Sequence, residues 1–146
     1  MENESGLSES YKINGGDFSR AGTISTKIKG ILQELGIPPD IITRTAIASY
    51  EAEMNVVMYA EEAILTLNLT PQSIHINIKD KGPGIADIDK AMQEGFSTAT
   101  HKMREMGFGA GMGLPNIKRN ADKFDLSSVL GDGTTYDIIL YLDGKE

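Results

Sequence analysis

At 146 residues, 40% hydrophobic and 24% charged, the chain suits one domain with a real hydrophobic core and is short for two. A formal net charge of -7 with no basic tract speaks against direct nucleic-acid binding, which draws on clustered Lys and Arg. The lack of cysteine excludes disulfides, thiolate catalysis and cysteine-ligated zinc, and His75 and His101 are too far apart in sequence for a helical metal pair, so site chemistry falls to carboxylates, amides and backbone.

The acidic start Met1-Glu2-Asn3-Glu4-Ser5 differs from a secretory signal, and no apolar run approaches the roughly 20 residues that cross a bilayer. A cytoplasmic protein with no membrane contact is expected. Residues 1–9 read as a flexible leader and 10–146 as a single domain. A short strand is expected within Tyr11 to Phe18, ended by Gly15-Gly16. From Ser19 to Leu35, Ile24, Ile28, Ile31, Leu32 and Leu35 recur at helical spacing, with Gly36 as a stop. Pro38-Pro39 breaks the chain and Asp40 is expected to cap a second helix running to about Tyr59. On that helix Ile47, Tyr50, Met54 and Val57 form the expected core stripe, bordered by Ala48, Glu51, Asn55 and Tyr59.

Ala63 to Leu69 and Ser73 to Asp80 alternate as strands, joined by Thr70-Pro71-Gln72 into an antiparallel hairpin. A short helix is expected at Asp87 to Met92 and a glycine-punctuated loop at Glu94 to Met112. A further helix over Leu114 to Lys123 carries Pro115 in its tolerant first turn. Phe124 to Leu130 and Thr134 to Leu142 close as a second hairpin around Gly131-Asp132-Gly133. Hairpins with three or four helices covering one sheet face imply a two-layer α/β (α+β) sandwich rather than a doubly wound fold.

Three motifs carry chemistry. Glu51 and Asn55, four apart on a helix, project from one face. Asn55 offers a neutral oxygen suited to Mg²⁺, and Glu51 a carboxylate able to take a proton from an attacking hydroxyl or water; alone, the pair reads equally as a solvated polar face. Asp80-x-Gly82-x-Gly84 ends a strand where a carboxylate can accept from an adenine amino group and glycine lets the base approach, or where Asp merely heads a turn. Seven of the sixteen glycines lie between Gly82 and Gly113, which suits a mobile lid or a plain surface loop. At its end Gly109, Gly111 and Gly113 lead into a helix whose free N–H groups favour phosphate oxygens. His101, Lys102 and Arg104 in this stretch, and Lys118 and Arg119 after it, are either phosphate contacts or solvated charges. Thr134 or Thr135 reaches the adenine side or serves only its strand. The G-x-G-x-x-G, G-x-x-x-x-G-K-[ST], H-R-D and D-F-G signatures are absent, which disfavours a Rossmann domain, a P-loop and a conventional kinase.

The order Glu51…Asn55, Asp80-x-Gly82-x-Gly84, Gly109-Ala110-Gly111-Met112-Gly113-Leu114 and Gly131-Asp132-Gly133-Thr134-Thr135 resembles the GHKL ATPase superfamily of gyrase, histidine kinases and MutL. Within it, Glu94-Gly95-Phe96-Ser97-Thr98 and Gly113-Leu114-Pro115-Asn116-Ile117-Lys118-Arg119 look most like the anti-sigma-factor and switch-protein serine kinases of bacterial partner-switching systems. The resemblance implies a Bergerat fold with a mixed, mainly antiparallel sheet that binds Mg-ATP. Asn55 would hold the metal, Asp80 the adenine, and Gly109, Ala110, Gly111, Met112, Gly113 and Leu114 the phosphates, with Gly82, Gly84 and Thr134 at the base and Glu51 as general base. The implied partner is a small antagonist protein phosphorylated on Ser or Thr; a sigma factor and a second copy of the chain are further candidates. A nucleotide-sensing module that sequesters a partner without chemistry is the alternative, ahead of a detached histidine-kinase domain or a gyrase-like clamp.

Overall fold

The computed structural model describes residues 6–93 and 113–142. Its strands are β1 (Leu7–Asn14), β2 (Glu62–Leu69), β3 (Ser73–Lys81), β4 (Lys123–Val129) and β5 (Gly133–Tyr141). Its helices are α1 (Thr23–Glu34), α2 (Pro39–Tyr59), the short α3 (Ile88–Ala91) and α4 (Gly113–Asn120), with a 3₁₀ turn at Phe18–Arg20. The sheet order is β1-β2-β3-β5-β4, and all four pairings are antiparallel. One row across the inner face, Tyr11–Leu65–Ile78–Tyr136–Leu126, shows the register. The expected sandwich is present, with no parallel pair among the described strands.

The alternation of the strands decides which face is covered. Ala63, Leu65, Leu67 and Leu69 on β2, Ile74, Ile76 and Ile78 on β3, and Tyr136, Ile138 and Leu140 on β5 all point inward and are buried. Against them pack Ile28 and Leu32 of α1, Ala48, Ala52 and Val56 of α2, and Leu114 and Ile117 of α4. The β1 strand takes in Leu7, Ser8 and Glu9, which sequence alone placed in the leader.

Three local expectations need correction. The helix foreseen from Ser19 starts only at Thr23, because Gly22 sits at φ 92, a left-handed conformation that interrupts the helical path. Asp40 does not cap α2: the N-cap is Pro38, Pro39 fills the first turn with its preset φ, and Asp40 lies inside that turn, where its charge favours the helix dipole. The expected core stripe of α2 holds at Met54 and Val57, which are buried, and fails in its first half. Ile47 and Tyr50 are 37% and 42% exposed, whereas Thr45, Ala48, Ser49, Ala52, Glu53 and Val56 are buried. With α1 and α4 packed on it and the sheet beneath, α2 buries a broad face, and small side chains there permit close approach.

The buried carboxylate on that face has a definite task. Glu53 Oε2 accepts the backbone N–H groups of Gly22 (3.1 Å) and Ile24 (3.2 Å), and Oε1 that of Ser25 (3.0 Å). It thereby satisfies the free donors at the start of α1 and ties that helix to α2. We predict that Glu53→Ala destabilises the fold by about 3 kcal/mol, because three backbone donors, two of them buried, lose their acceptor. Urea unfolding measures it, and a loss below ~1 kcal/mol would refute this role.

At the far end Arg44 of α2 holds the α4–β4 junction. Its Nε donates to the Asn120 carbonyl (3.0 Å) and its Nη2 to Asp122 Oδ1 (2.8 Å), while Asp122 Oδ2 accepts the Tyr141 N–H (2.7 Å). Partial burial works against the Asp122 charge, but Arg44 and the Tyr141 N–H hold its pKa below the usual carboxylate range.

Candidate functional site

Two clusters form at the ends of secondary elements. In the first, Asp80 near the end of β3 accepts the Thr134 backbone N–H on Oδ1 at 2.9 Å. Half-burial pushes the Asp80 pKa up, and the Thr134 N–H opposes that shift by favouring the charged form. The Thr134 hydroxyl is already engaged, lying 2.9 Å from Ser128 Oγ. Ser128 in turn donates to the Gly133 carbonyl (3.1 Å) and accepts the Ile85 N–H (2.7 Å). Gly84 has φ 80, and a Cβ there would lie 2.5 Å from the Val129 carbonyl oxygen, so only glycine lets this turn pack on β4. The Gly131 N–H closes the contact by donating to the Pro83 carbonyl at 2.9 Å. Gly82 lies against Ala60, just beyond the end of α2.

The second cluster lies between α2 and α4. Glu51 and Asn55 project from successive turns of α2 toward Gly113, the first residue of α4. A Cβ on Gly113 would stand 3.3 Å from Asn55 Oδ1 and 3.6 Å from Glu51 Oε1. Glu51 Oε2 accepts the side-chain N–H of Asn116 at 3.1 Å. The Asn55 amide also reaches the phenol of Tyr136. Of the two amide atoms, Oδ1 stands nearer the Gly113 position, 3.3 Å against 3.8 Å for Nδ2 from a Cβ there. Burial pushes the Tyr136 pKa up strongly, and the charge of Asp80 adds to it, so Tyr136 stands between the two clusters.

The arrangement therefore sets a half-buried acceptor, an amide oxygen and a carboxylate around one end of the sheet, beside a helix N-terminus. Residues 36–145 match the family described as histidine kinase-, DNA gyrase B-, and HSP90-like ATPase. The serine/threonine-protein kinase RsbT of Bacillus subtilis (strain 168) is 34% identical over 118 residues, covering 78% of this chain and 83% of the relative. The chain belongs to this ATPase family, in the branch of anti-sigma-factor serine kinases. An anti-sigma F factor of Caldanaerobacter subterraneus subsp. tengcongensis is 32% identical over 104 residues, covering 68% of each chain. Another, from Geobacillus thermodenitrificans (strain NG80-2), is 23% identical over 141 residues, covering 92% of this chain and 90% of the relative.

Of the ATPase-motif residues read from sequence, Glu51, Asn55 and Gly113 meet at the α2–α4 junction, and Asp80, Gly82, Gly84 and Thr134 meet at the β3–β5 end. Leu114 is buried in the core. Gly109, Ala110, Gly111 and Met112 lie outside the described residues, as do His101, Lys102, Arg104 and the Glu94–Thr98 motif. Arg119 donates to Asn116 Oδ1 at 2.7 Å. Sequence reasoning missed Asn116, Ser128 and Tyr136 as site residues. For Tyr136 a signal existed, since it shares the inward alternation of Thr134 two positions before it; Asn116 lay within the Gly113–Arg119 motif without a role of its own, and nothing in the sequence singles out Ser128.

Among the described residues, no three His, Cys, Asp or Glu side chains gather into a possible metal cage. Asn55 Oδ1, turned toward the space left by Gly113, is the oxygen donor that fits a Mg²⁺ ion held mainly by phosphates and water. No described helix is long and apolar enough to cross a membrane.

Proposed function

We propose that the chain is a Mg-ATP-dependent protein serine/threonine kinase of a partner-switching system, acting on a small antagonist protein in the cytoplasm. The observation that carries this reading is the meeting of Glu51 and Asn55 with Gly113 at the start of α4. Asp80 receives the adenine amino group, Gly82 and Gly84 leave room for the base, and Thr134 holds Asp80 in place through its N–H. The run Gly109 to Leu114 presents N–H groups to the phosphates. Asn55 ligates Mg²⁺, which when bound neutralises phosphate charge. In the transfer, the acceptor hydroxyl oxygen bonds to the γ-phosphorus as the bond to the ADP oxygen breaks, and Glu51 takes the hydroxyl proton. Positioning and charge neutralisation supply most of the catalysis in such a reaction.

The test is incubation with γ-labelled ATP, Mg²⁺ and candidate antagonist proteins, with label expected on a Ser or Thr. A preparation that binds ATP yet labels none of them would count against the kinase. Asn55→Ala is expected to weaken Mg-ATP binding about 10-fold, ~1.4 kcal/mol. Calorimetry reads this directly, and equal affinity would remove the metal assignment.

A second reading, ATP-dependent sequestration without transfer, is favoured by the relatives named anti-sigma F factor. In it the chain holds a sigma factor and Glu51 is dispensable. A second copy of the chain is a candidate partner under either reading, and 10–146 is taken as one ATP-binding domain.

A further inference from the structure

Glu51 is held from across a helix interface by Asn116, a residue of the Gly113–Arg119 motif to which the sequence assigned no role at the site. Asn116 Nδ2 on α4 donates to Glu51 Oε2 at 3.1 Å. The direction of that amide is fixed, because Asn116 Oδ1 accepts from Arg119 Nη1 at 2.7 Å; a guanidinium has only donors, so the NH₂ group must face Glu51. The Asn116 main-chain carbonyl is fastened as well, by the side-chain N–H of Asn120 at 2.8 Å. With Oε2 occupied, Oε1 is the oxygen left on the Gly113 side, 3.6 Å from where a Cβ would stand.

We propose that Asn116, braced by Arg119, is a positioning residue that fixes the Glu51 carboxylate so that Oε1 faces the acceptor hydroxyl. This rests on the reading of Glu51 as general base. A glutamate has three side-chain torsions, and a base that points correctly only part of the time loses rate in proportion. The Asn116 contact removes that freedom from a helix that also begins at Gly113. The orientation of the base is thereby tied to the seating of α4 against α2, the element whose first turn meets the phosphates in the proposed complex.

The test compares Asn116→Ala and Asn116→Asp with the parent protein. Asn116→Asp keeps size and the Arg119 partner but loses the donor and sets a carboxylate against Glu51. Rates are read as label transfer from γ-labelled Mg-ATP to the antagonist protein that accepts it, and as phosphate release with water as acceptor. Both variants are expected to lose about 10-fold or more in rate at saturating Mg-ATP, with ATP affinity within about twofold of the parent. In a Glu51→Gln background neither substitution should lower the residual rate further. A purely structural role for Asn116 would instead lower thermal stability or ATP affinity and would add to the Glu51→Gln loss. Parental rate in Asn116→Asp, or additivity with Glu51→Gln, overturns the positioning role alone; parental rate in Glu51→Gln itself overturns the base reading and the positioning role with it. Should Asn116→Asp not fold, Asn116→Ser carries the same comparison, since its short side chain does not reach Glu51 as the amide does.

Discussion

Asp80→Asn is expected to weaken ATP binding by about 100-fold, ~2.7 kcal/mol, while leaving the fold intact. Asp80 Oδ1 is committed to the Thr134 N–H, a bond that an asparagine oxygen reproduces, so the β3–β5 end keeps its structure. What changes is the second position. There the carboxylate offers an acceptor and asparagine offers an NH₂ group, which would face the adenine amino group donor to donor. Two buried donors left without acceptors cost ~1–3 kcal/mol each. The half-burial that raises the Asp80 pKa adds a pH dependence. ATP affinity should fall on acidification before an ordinary carboxylate would titrate, because the protonated form gives up acceptor capacity, and the asparagine variant should lack that dependence. Calorimetry of both proteins across the acid range decides the matter; parental affinity in Asp80→Asn would remove Asp80 from the adenine site.

The contrast between Asp80 and its neighbours shows what a single sequence discloses. The Ile74, Ile76, Ile78 alternation and the length of α2 were legible, because periodicity is local and the covered sheet face enforces it. Glu51, Asn55 and Asp80 were legible as a set of spacings, and the structure brings the first two together at Gly113. Met54 and Val57 were read as core and are buried, but the width of the buried α2 face was not legible. Ile47 and Tyr50 are larger, yet the buried face also takes in Ala48, Ser49 and Ala52, whose small size matters only once neighbouring elements press against it. Nor were the supporting contacts. Asn116 meets Glu51 across 65 residues of chain and Ile85 meets Ser128 across 43, and no local pattern encodes such meetings. Glu53 stood in plain view on α2, between Glu51 and Asn55. Its role as the acceptor for the start of α1 became apparent only when Gly22, Ile24 and Ser25 were placed above it.

Glu51→Gln is expected to lower phosphoryl transfer by a factor on the order of 10²–10⁴, the range of a lost general base, with Mg-ATP affinity unchanged. The substitution preserves shape, and the glutamine carbonyl still accepts the Asn116 N–H, so the α2–α4 junction keeps its bond. The proton of the acceptor hydroxyl then has no carboxylate to enter. Asn55, one turn on, keeps its oxygen toward Gly113, so nucleotide affinity stays as the control. The same variant separates the two functional readings. A protein that only sequesters its partner would retain both partner capture and its ATP dependence in Glu51→Gln. A kinase would still capture the antagonist but would no longer release it through phosphorylation, so the complex should outlast that of the parent when Mg-ATP is present. Pull-down of the antagonist over time, run beside the label-transfer assay, distinguishes them: equal decay of the complex in parent and variant, with transfer undiminished, would leave Glu51 no part in the chemistry.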